Sequence, residues 1–418
     1  MSKVDTIVIG NGLSAMACGI NLAKFGQRVT MVGAGGSLLA FNGGSMELLG
    51  TVDGNPVGPA VTRPLEVIAT LPDSHPYRKV GIGRIASVAD GARRLLFDAG
   101  INMAGSAEAN HWRITPMGVA KPAWLTLKNH LYIDDLGNLP CKRVTLMCLR
   151  GFLDQPNGML AEGLKHLGFE VEMIDFTTDD LNALRRSRSE MRAINISKHL
   201  VNSRALQRLA EQVNTLAGDA EMVLLPNVLG VDDDDAFRTL QQLTRPAVRL
   251  VATLPPSVAG ARMNTLLRHY FQMLGGNILT DTVTAIKADG DTVTGIKTLR
   301  DTLEPLTADN YVLATGSFIG RGIVATRERI LEPLLDLDVD ADDDREMWTQ
   351  FNAMEPQRCM RYGVATDDTL HCLKNGRPMA NLRAVGSVLS GHDAIKMGDG
   401  TGVALITAIA AARDICGK

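Results

Sequence analysis

The chain has 418 residues, of which 45% are apolar and 21% charged, and its formal net charge is −3. At roughly 100–200 residues per domain, that length allows two or three domains with large cores. The near-neutral balance, with only 4% aromatics, excludes a nucleic-acid surface of basic clusters and stacking rings. No apolar run reaches the roughly 18–20 residues that span a bilayer, and the run from Gly402 to Ala412 reads as a buried helix. The six cysteines (Cys18, Cys141, Cys148, Cys359, Cys372 and Cys416) lack zinc or iron–sulfur spacing. Unpaired thiols and no leader before the first strand fit a reducing cytoplasm.

In chain order, residues 4–9 (Val-Asp-Thr-Ile-Val-Ile) are a short apolar run closed by glycine, the pattern of a buried parallel strand. Residues 13–25 have helical spacing and stop at Gly26; residues 28–32 are a second strand, which completes a βαβ unit. Residues 35–60, rich in Gly, Ser and Asn, form a long connection with a short helix expected near Ser45–Leu49. Residues 90–130 show no clear period. A second α/β stretch then alternates: strand Arg143–Cys148, helix Asn157–Leu167, strand Phe169–Ile174, helix Ser203–Leu216, strand Glu221–Leu225, helix Asp235–Leu243 and strand Val248–Ala252. A helix from Arg262 to Leu274 follows. The segments Val283–Ala288 and Thr292–Leu299 flank Asp289-Gly290-Asp291, a hairpin signal. Strands at Tyr311–Ala314 and Leu382–Val385, and a helix from Gly400 to Ile415, complete the reading. The acidic runs Asp232–Asp235 and Asp340–Asp344 read as solvated loops or helix caps, not as metal sites.

The chemistry sits in Gly10-Asn11-Gly12-Leu13-Ser14-Ala15, a G-x-G-x-x-A match between strand and helix. Gly10 permits the tight turn. Gly12 lets backbone N–H groups approach a phosphate, and Ala15 and Gly19 let the helix pack closely on the sheet. Free N–H groups and the helix dipole hold the phosphate. The acid that usually ends the second strand and binds ribose hydroxyls is missing, since no acidic residue lies between Asp5 and Glu47. Either FAD binds with altered adenosine contacts, or a shorter flavin, FMN, is used.

Two distant segments extend the pattern. Tyr311-Val312-Leu313-Ala314-Thr315-Gly316 resembles the second signature of flavin enzymes of the glutathione-reductase and succinate-dehydrogenase groups. Asn381 to Gly386 resembles their last signature, with Ser387 where an acid often stands, and Met397-Gly398-Asp399-Gly400-Thr401-Gly402 opens the final helix. That helix start would stabilise negative charge on a reduced flavin. The fold class expected is α/β: a Rossmann-like FAD/NAD(P)-binding fold with an inserted α/β substrate or interaction domain. The flavin domain would comprise residues 1–60 and 261–418, and the insert residues 61–260. Cofactor contacts are expected at Gly10, Gly12, Leu13, Ser14, Ala15, Gly44, Ser45, Thr315, Gly316, Gly386, Ser387, Gly400, Thr401 and Gly402.

With these residues in view, the whole chain resembles the B subunits of anaerobic glycerol-3-phosphate dehydrogenases. The Gly10–Gly12 loop carries the resemblance, with Gly43 to Leu49, Glu190 to Ile196, Thr253 to Val258 with Arg262, Ala314 to Phe318, Glu332-Pro333, Leu337 to Val339 and Gly386 to Leu389. The family also lacks the second-strand acid. The resemblance implies oxidation of glycerol 3-phosphate to dihydroxyacetone phosphate with electrons passed to quinone, and FMN as this subunit's cofactor. It also implies an FAD-containing A subunit and an iron–sulfur C subunit that anchors the assembly to the inner face of the membrane.

Alcohol oxidation calls for a base and a cation for the phosphate. His392 is the candidate base and Arg262 the candidate cation; a loop histidine and a surface arginine are the plainer readings. Ser45 is a flavin hydrogen-bond partner or a helix cap, and His269 is structural. Three roles compete: an electron-relaying or co-catalytic flavoprotein, an independent flavin enzyme of the fumarate-reductase type, and a flavin-free scaffold.

Overall fold

The computed structural model describes residues 4–52, 58–185, 187, 191–300 and 304–418. Residues 53–57 of the first long connection, and Glu190 at the head of one matched block, lie outside these. Strand β1 (Val4–Ile9) buries Thr6, Ile7, Val8 and Ile9, as a strand covered on both faces must. Helix α1 (Leu13–Lys24) is buried almost all round from Leu13 to Leu22. A Cβ on its Gly19 would stand 3.0 Å from Phe271 and 3.2 Å from the Met31 sulfur, so glycine there sets how closely the helix approaches its neighbours. Strand β2 (Val29–Gly33) pairs parallel to β1 with Thr30 opposite Ile7.

The loop after β2 differs from its expectation. The short helix is a 3₁₀ turn at Leu38–Phe41, capped by Ser37, whose Oγ accepts the Leu39 N–H at 3.2 Å. Ser45–Met46 is extended, not helical, and pairs antiparallel with Leu125–Leu127. Asn42 is the reason. Its side chain accepts the Gly44 N–H at 2.8 Å and donates to the Ser45 carbonyl at 2.9 Å, closing a turn where a helix would have started. Helix α2 (Ile82–Asp98) occupies part of the stretch without a readable period and packs on the C-terminal helix.

The second α/β layer follows the expected alternation. Strand β3 (Arg143–Leu149), helix α3 (Asn157–His166), strand β4 (Glu170–Phe176), helix α4 (Ser203–Leu216), strand β5 (Met222–Pro226), helix α5 (Asp235–Leu243) and strand β6 (Ala247–Val251) form a parallel sheet ordered β4-β3-β5-β6. Apolar clusters line both of its faces, one around Leu206, Leu209 and Val223, the other around Leu146, Leu160 and Leu164.

Helix α6 (Val258–Met273) starts four residues earlier than expected because Ser257 caps it, accepting the Gly260 N–H at 2.9 Å. Strand β7 (Asn277–Thr280), the hairpin Val283–Asp289/Thr292–Thr298, strands β8 (Ala308–Leu313), β9 (His371–Lys374) and β10 (Arg377–Ala384), and helix α7 (Gly400–Ile415) return the chain to the first layer. The main sheet is ordered β7-β2-β1-β8-β10-β9, parallel except at the β9 edge. This is a Rossmann-like FAD-binding fold, in which ligands gather beyond the carboxyl ends of the strands. Gly402 to Ala412 are all buried in α7, and no helix among the described residues is long and apolar enough to cross a membrane.

Candidate functional site

At the end of β1, Gly10 takes φ +137°, and a Cβ there would lie 2.2 Å from the Ala314 carbonyl oxygen at the end of β8. No side chain fits between the two strands. Gly12 is different: a Cβ there meets nothing within 4 Å, so it faces open space. Gly12 also caps α1 without a side-chain hydrogen bond and with no acid in the first turn. The helix therefore starts with N–H groups free to meet an anion.

That open space is a cavity of about 1090 Å³. Its floor is the Gly10–Ser14 loop and Ala314–Gly316. One arm runs past Gly33, Ala34, Gly36 and Ser37 to Thr282–Thr284; the other reaches Ser45, Glu47, Arg113, Thr253, Pro255, Gly400 and Thr401. Of the fourteen cofactor residues expected, Gly10, Gly12, Leu13, Ser14, Ser45, Thr315, Gly316, Ser387, Gly400 and Thr401 stand on this wall. The other four only pack behind it. Ala15 is wholly buried in α1. A Cβ on Gly44 would meet His130 Nε2 at 3.0 Å, one on Gly386 would meet Ser14 Oγ at 2.5 Å, and one on Gly402 would meet Tyr77 Oη at 2.2 Å. Wall residues Asn11, Thr253 and Thr315 each carry a buried polar atom, Nδ2, Oγ1 and Oγ1 respectively, with no hydrogen-bond partner among the described residues. Buried polar atoms normally have partners, so these three fit a wall built for a polar ligand.

The missing second-strand acid has a steric counterpart. A Cβ on Gly33 would stand 2.9 Å from the Asn11 Cβ, so no side chain fits there. Glu332 also lines the cavity, and its two oxygens accept the N–H groups of Leu334 and Leu335 at 2.9 and 2.8 Å. Its carboxylate is therefore committed to the backbone.

At the other arm, Thr401 ties the start of α7 to Glu47: its Oγ1 accepts the Glu47 N–H at 2.6 Å. Glu47 in turn pairs with Arg113 at 2.7 Å. Beneath the helix start lies Asp399, fully buried, with oxygens 3.1 Å from His75 Nε2 and 3.0 Å from His392 Nδ1. Burial works against the Asp399 charge, yet His392 and His75 together hold its carboxyl well below the usual carboxylate range.

Both catalytic candidates are corrected by this geometry. His392 is 3% exposed, is bound to Asp399 and is not on the cavity wall. It anchors the start of α7 through Asp399, behind the cavity wall. Arg262 is 3% exposed, pairs with Asp234 and donates to the carbonyls of Gly230 and Asp233, each at 3.2 Å. It clamps the acidic run before α5 and is neither a surface residue nor part of the cavity wall. The wall charges that sequence reading missed are Glu47, Arg113, Arg321 and Glu332, the last standing in the Glu332-Pro333 block. Glu47 and Arg321 stood inside or beside motifs already singled out, at Gly43–Leu49 and after Gly316; Arg113 stood in the stretch without a period, where nothing marked it.

Comparison with known proteins agrees with this site. Residues 5–403 match the FAD-binding domain family. The chain is 38% identical to the B subunit of the anaerobic glycerol-3-phosphate dehydrogenase of Yersinia enterocolitica, across 99% of this chain and 98% of that one. It is 33% identical to the protein of that name from Actinobacillus pleuropneumoniae, across 99% of each. Among solved structures, 3-ketosteroid delta1-dehydrogenase from Sterolibacterium denitrificans covers the full length of both chains at 13% identity and a TM-score of 0.44, too slight a likeness to argue from. The glycine loop, the flavin-sized cavity and the near-full-length match to these relatives together place the chain in the FAD-binding domain family and, within it, in the family of anaerobic glycerol-3-phosphate dehydrogenase B subunits.

Proposed function

We propose that this chain is the flavoprotein B subunit of an anaerobic glycerol-3-phosphate dehydrogenase, taking part in the oxidation of glycerol 3-phosphate to dihydroxyacetone phosphate with electrons passed to quinone. The observation that supports it most is one continuous cavity joining a bare helix start, suited to phosphate, to a polar end at Ser45, Arg113, Thr253 and Thr401. A bound flavin supplies the two-electron acceptor. The chain's own residues then bind and orient: Gly10–Ser14 would hold the phosphates, Thr315 and Ser387 the middle, and Gly400 and Thr401, at a helix start, the edge where negative charge develops.

FAD fits better than the FMN that the family resemblance implies. The cavity continues past the phosphate loop to Thr282–Thr284, where FMN has no group to place. With no carboxylate free at Gly33, the adenosine would rest on backbone groups and threonine hydroxyls. A fumarate-reductase type of enzyme calls for several substrate-facing arginines and histidines; the described wall carries Arg113 and Arg321 and no histidine, and Arg113 is already paired. The relatives' shared designation as B subunits supports an assembly of several chains. In this reading an FAD-containing A subunit and an iron–sulfur C subunit complete it, and the C subunit holds it at the inner face of the membrane.

The test is purification of the full chain with its co-purifying neighbours, release of flavin by denaturation, and addition of glycerol 3-phosphate to the flavin-loaded chain. FAD in near-stoichiometric amount and bleaching of its visible band by substrate are expected. A colourless chain that takes up neither flavin would end the reading.

A further inference from the structure

Behind Ser45 lies a chain of buried hydroxyl and imidazole groups that the site described so far does not use. Ser45 stands on the cavity wall. Its Oγ accepts from Thr126 Oγ1 at 3.0 Å, and Thr126 Oγ1 lies 2.7 Å from His111 Nε2. The three residues are 7%, 1% and 4% exposed, so water does not compete for these bonds. Ser45 and Thr126 face each other as partners across two short antiparallel strands, and the Asn42 turn fixes the strand that carries Ser45. The Ser45 hydroxyl donates to no described residue. Its neighbour Glu47 is bound to Thr401 at the start of α7, which places the head of the chain at the polar end of the cavity.

We propose that His111, Thr126 and Ser45 form a proton relay, with Ser45 Oγ as the group that touches the substrate hydroxyl. This rests on the proposed alcohol oxidation. In that reaction the substrate C–H leaves with its electron pair to the bound flavin, and the hydroxyl proton must go elsewhere. For it to leave, the two hydroxyls turn about their C–O bonds so that Ser45 O–H points at Thr126 Oγ1 and Thr126 O–H at His111 Nε2, the ring carrying its hydrogen on Nδ1. The substrate proton then passes to Ser45 Oγ as the Ser45 proton moves to Thr126 Oγ1 and the Thr126 proton to His111 Nε2. A carbonyl forms, the flavin gains two electrons and a proton, and the imidazole gains one proton, later released to water. Each hydroxyl both donates and accepts, so the same distances serve the return direction. Burial pushes the His111 imidazole down to about 4, with Asp134 pulling the other way, so it is neutral and able to accept at neutral pH and gives the proton up again readily.

The decisive comparison is Thr126→Val, which keeps the shape and removes the hydroxyl, against Thr126→Ser, which keeps the hydroxyl. Both are made in the full chain loaded with flavin. Flavin affinity should be unchanged in both. Flavin reduction by glycerol 3-phosphate, followed by stopped flow, should slow by about 10²–10⁴-fold in Thr126→Val and return to within about tenfold of the parent rate in Thr126→Ser. The solvent deuterium effect on that step should disappear in Thr126→Val. In the flavin-free chain, ¹⁵N NMR of the His111 ring should show its Nε2 signal move in Thr126→Val and hold in Thr126→Ser. A Thr126→Val chain that binds flavin and is reduced at the parent rate overturns the relay and leaves the proposed function standing. A parent chain that binds flavin but is never reduced by substrate defeats the proposed function instead.

Discussion

A methyl group placed at Gly10 and one placed at Gly12 meet different surroundings, and the difference separates folding from binding. At Gly10 the added Cβ collides with the Ala314 carbonyl and the backbone sits at a positive φ. Gly10→Ala should therefore cost roughly 2–4 kcal/mol of stability, read as a lower denaturation midpoint. At Gly12 the Cβ meets nothing, so Gly12→Ala should keep stability within about 0.5 kcal/mol while weakening flavin binding about tenfold, because the methyl stands where a phosphate would approach. Equal loss of stability in both variants would sink this division. Arg321 poses a related contrast. It lies on the cavity wall with no ion pair among the described residues, and it sits at φ +61°, a conformation that costs a non-glycine residue roughly 1–2 kcal/mol. Arg321→Gly should raise stability by about 1 kcal/mol yet weaken FAD several-fold, with a flatter salt dependence and no change in riboflavin affinity. A flavin titration that shows equal effects on FAD and riboflavin would rule out phosphate binding. The glycines were legible because turn geometry is written locally. Arg262 and His392 misled because nothing local announces Asp234, 28 residues from Arg262, or a carboxylate buried beneath a helix start.

At the scale of elements, buried histidines tie short strands and helix starts together and give the molecule an acid-sensitive profile. Burial pushes His111 down to about 4 and His130, with Arg262 nearby, down to about 3; His75 is also lowered by burial against the pull of Asp399. A histidine whose folded value lies below its unfolded value of about 6.5 is protonated first in the unfolded chain. Its contribution is complete above about pH 6.5 and is lost as pH falls toward the folded value. Asp399 acts in a lower window: its depressed carboxyl stabilises above about pH 4 and stops doing so only as pH falls through its folded value. Stability should thus fall steadily from about pH 6.5 to about pH 4.5, and His130→Gln should flatten that slope even where it lowers stability at neutral pH. Urea unfolding at a series of pH values checks this; an unchanged slope would show that His130 is not held neutral. Elements with one strong apolar pattern, such as α4, the strands of the second layer and β1, β2 and β8 of the first, were readable from apolar spacing, whereas the edge strands β7 and β9, short and only partly buried, were not. Ser45–Leu49 was not, because the Asn42 turn overrides its helix-forming composition. Helix α2 escaped because its exposed face, with Asp90, Arg93 and Arg94, masks its buried stripe of Ile85, Val88, Ala92 and Leu96.

At the scale of the molecule, the site exists only because segments far apart in sequence converge: the loop after β1, the end of β8 and the start of α7 meet around one space. Motif order suggested this assembly, but the length of the cavity could not be read from it, since that length depends on how β7 and the hairpin stand beside β2. Length is what separates the two flavins. A ligand that fills only the phosphate loop and the polar arm leaves the Thr282–Thr284 arm to water, whereas a dinucleotide fills both. Binding stabilises the fold by RT ln(1 + [L]/Kd), about 2.7 kcal/mol at a hundredfold excess over Kd. At equal concentrations FAD should therefore raise the melting temperature of the flavin-free chain more than FMN, and FMN more than riboflavin, which lacks a phosphate for the Gly10–Ser14 loop. Thr282→Trp, which would crowd the far arm, should erase the advantage of FAD over FMN and leave the FMN shift in place. An FMN shift equal to that of FAD in the parent chain would mean that the adenosine arm goes unused and that the shorter flavin is the physiological one.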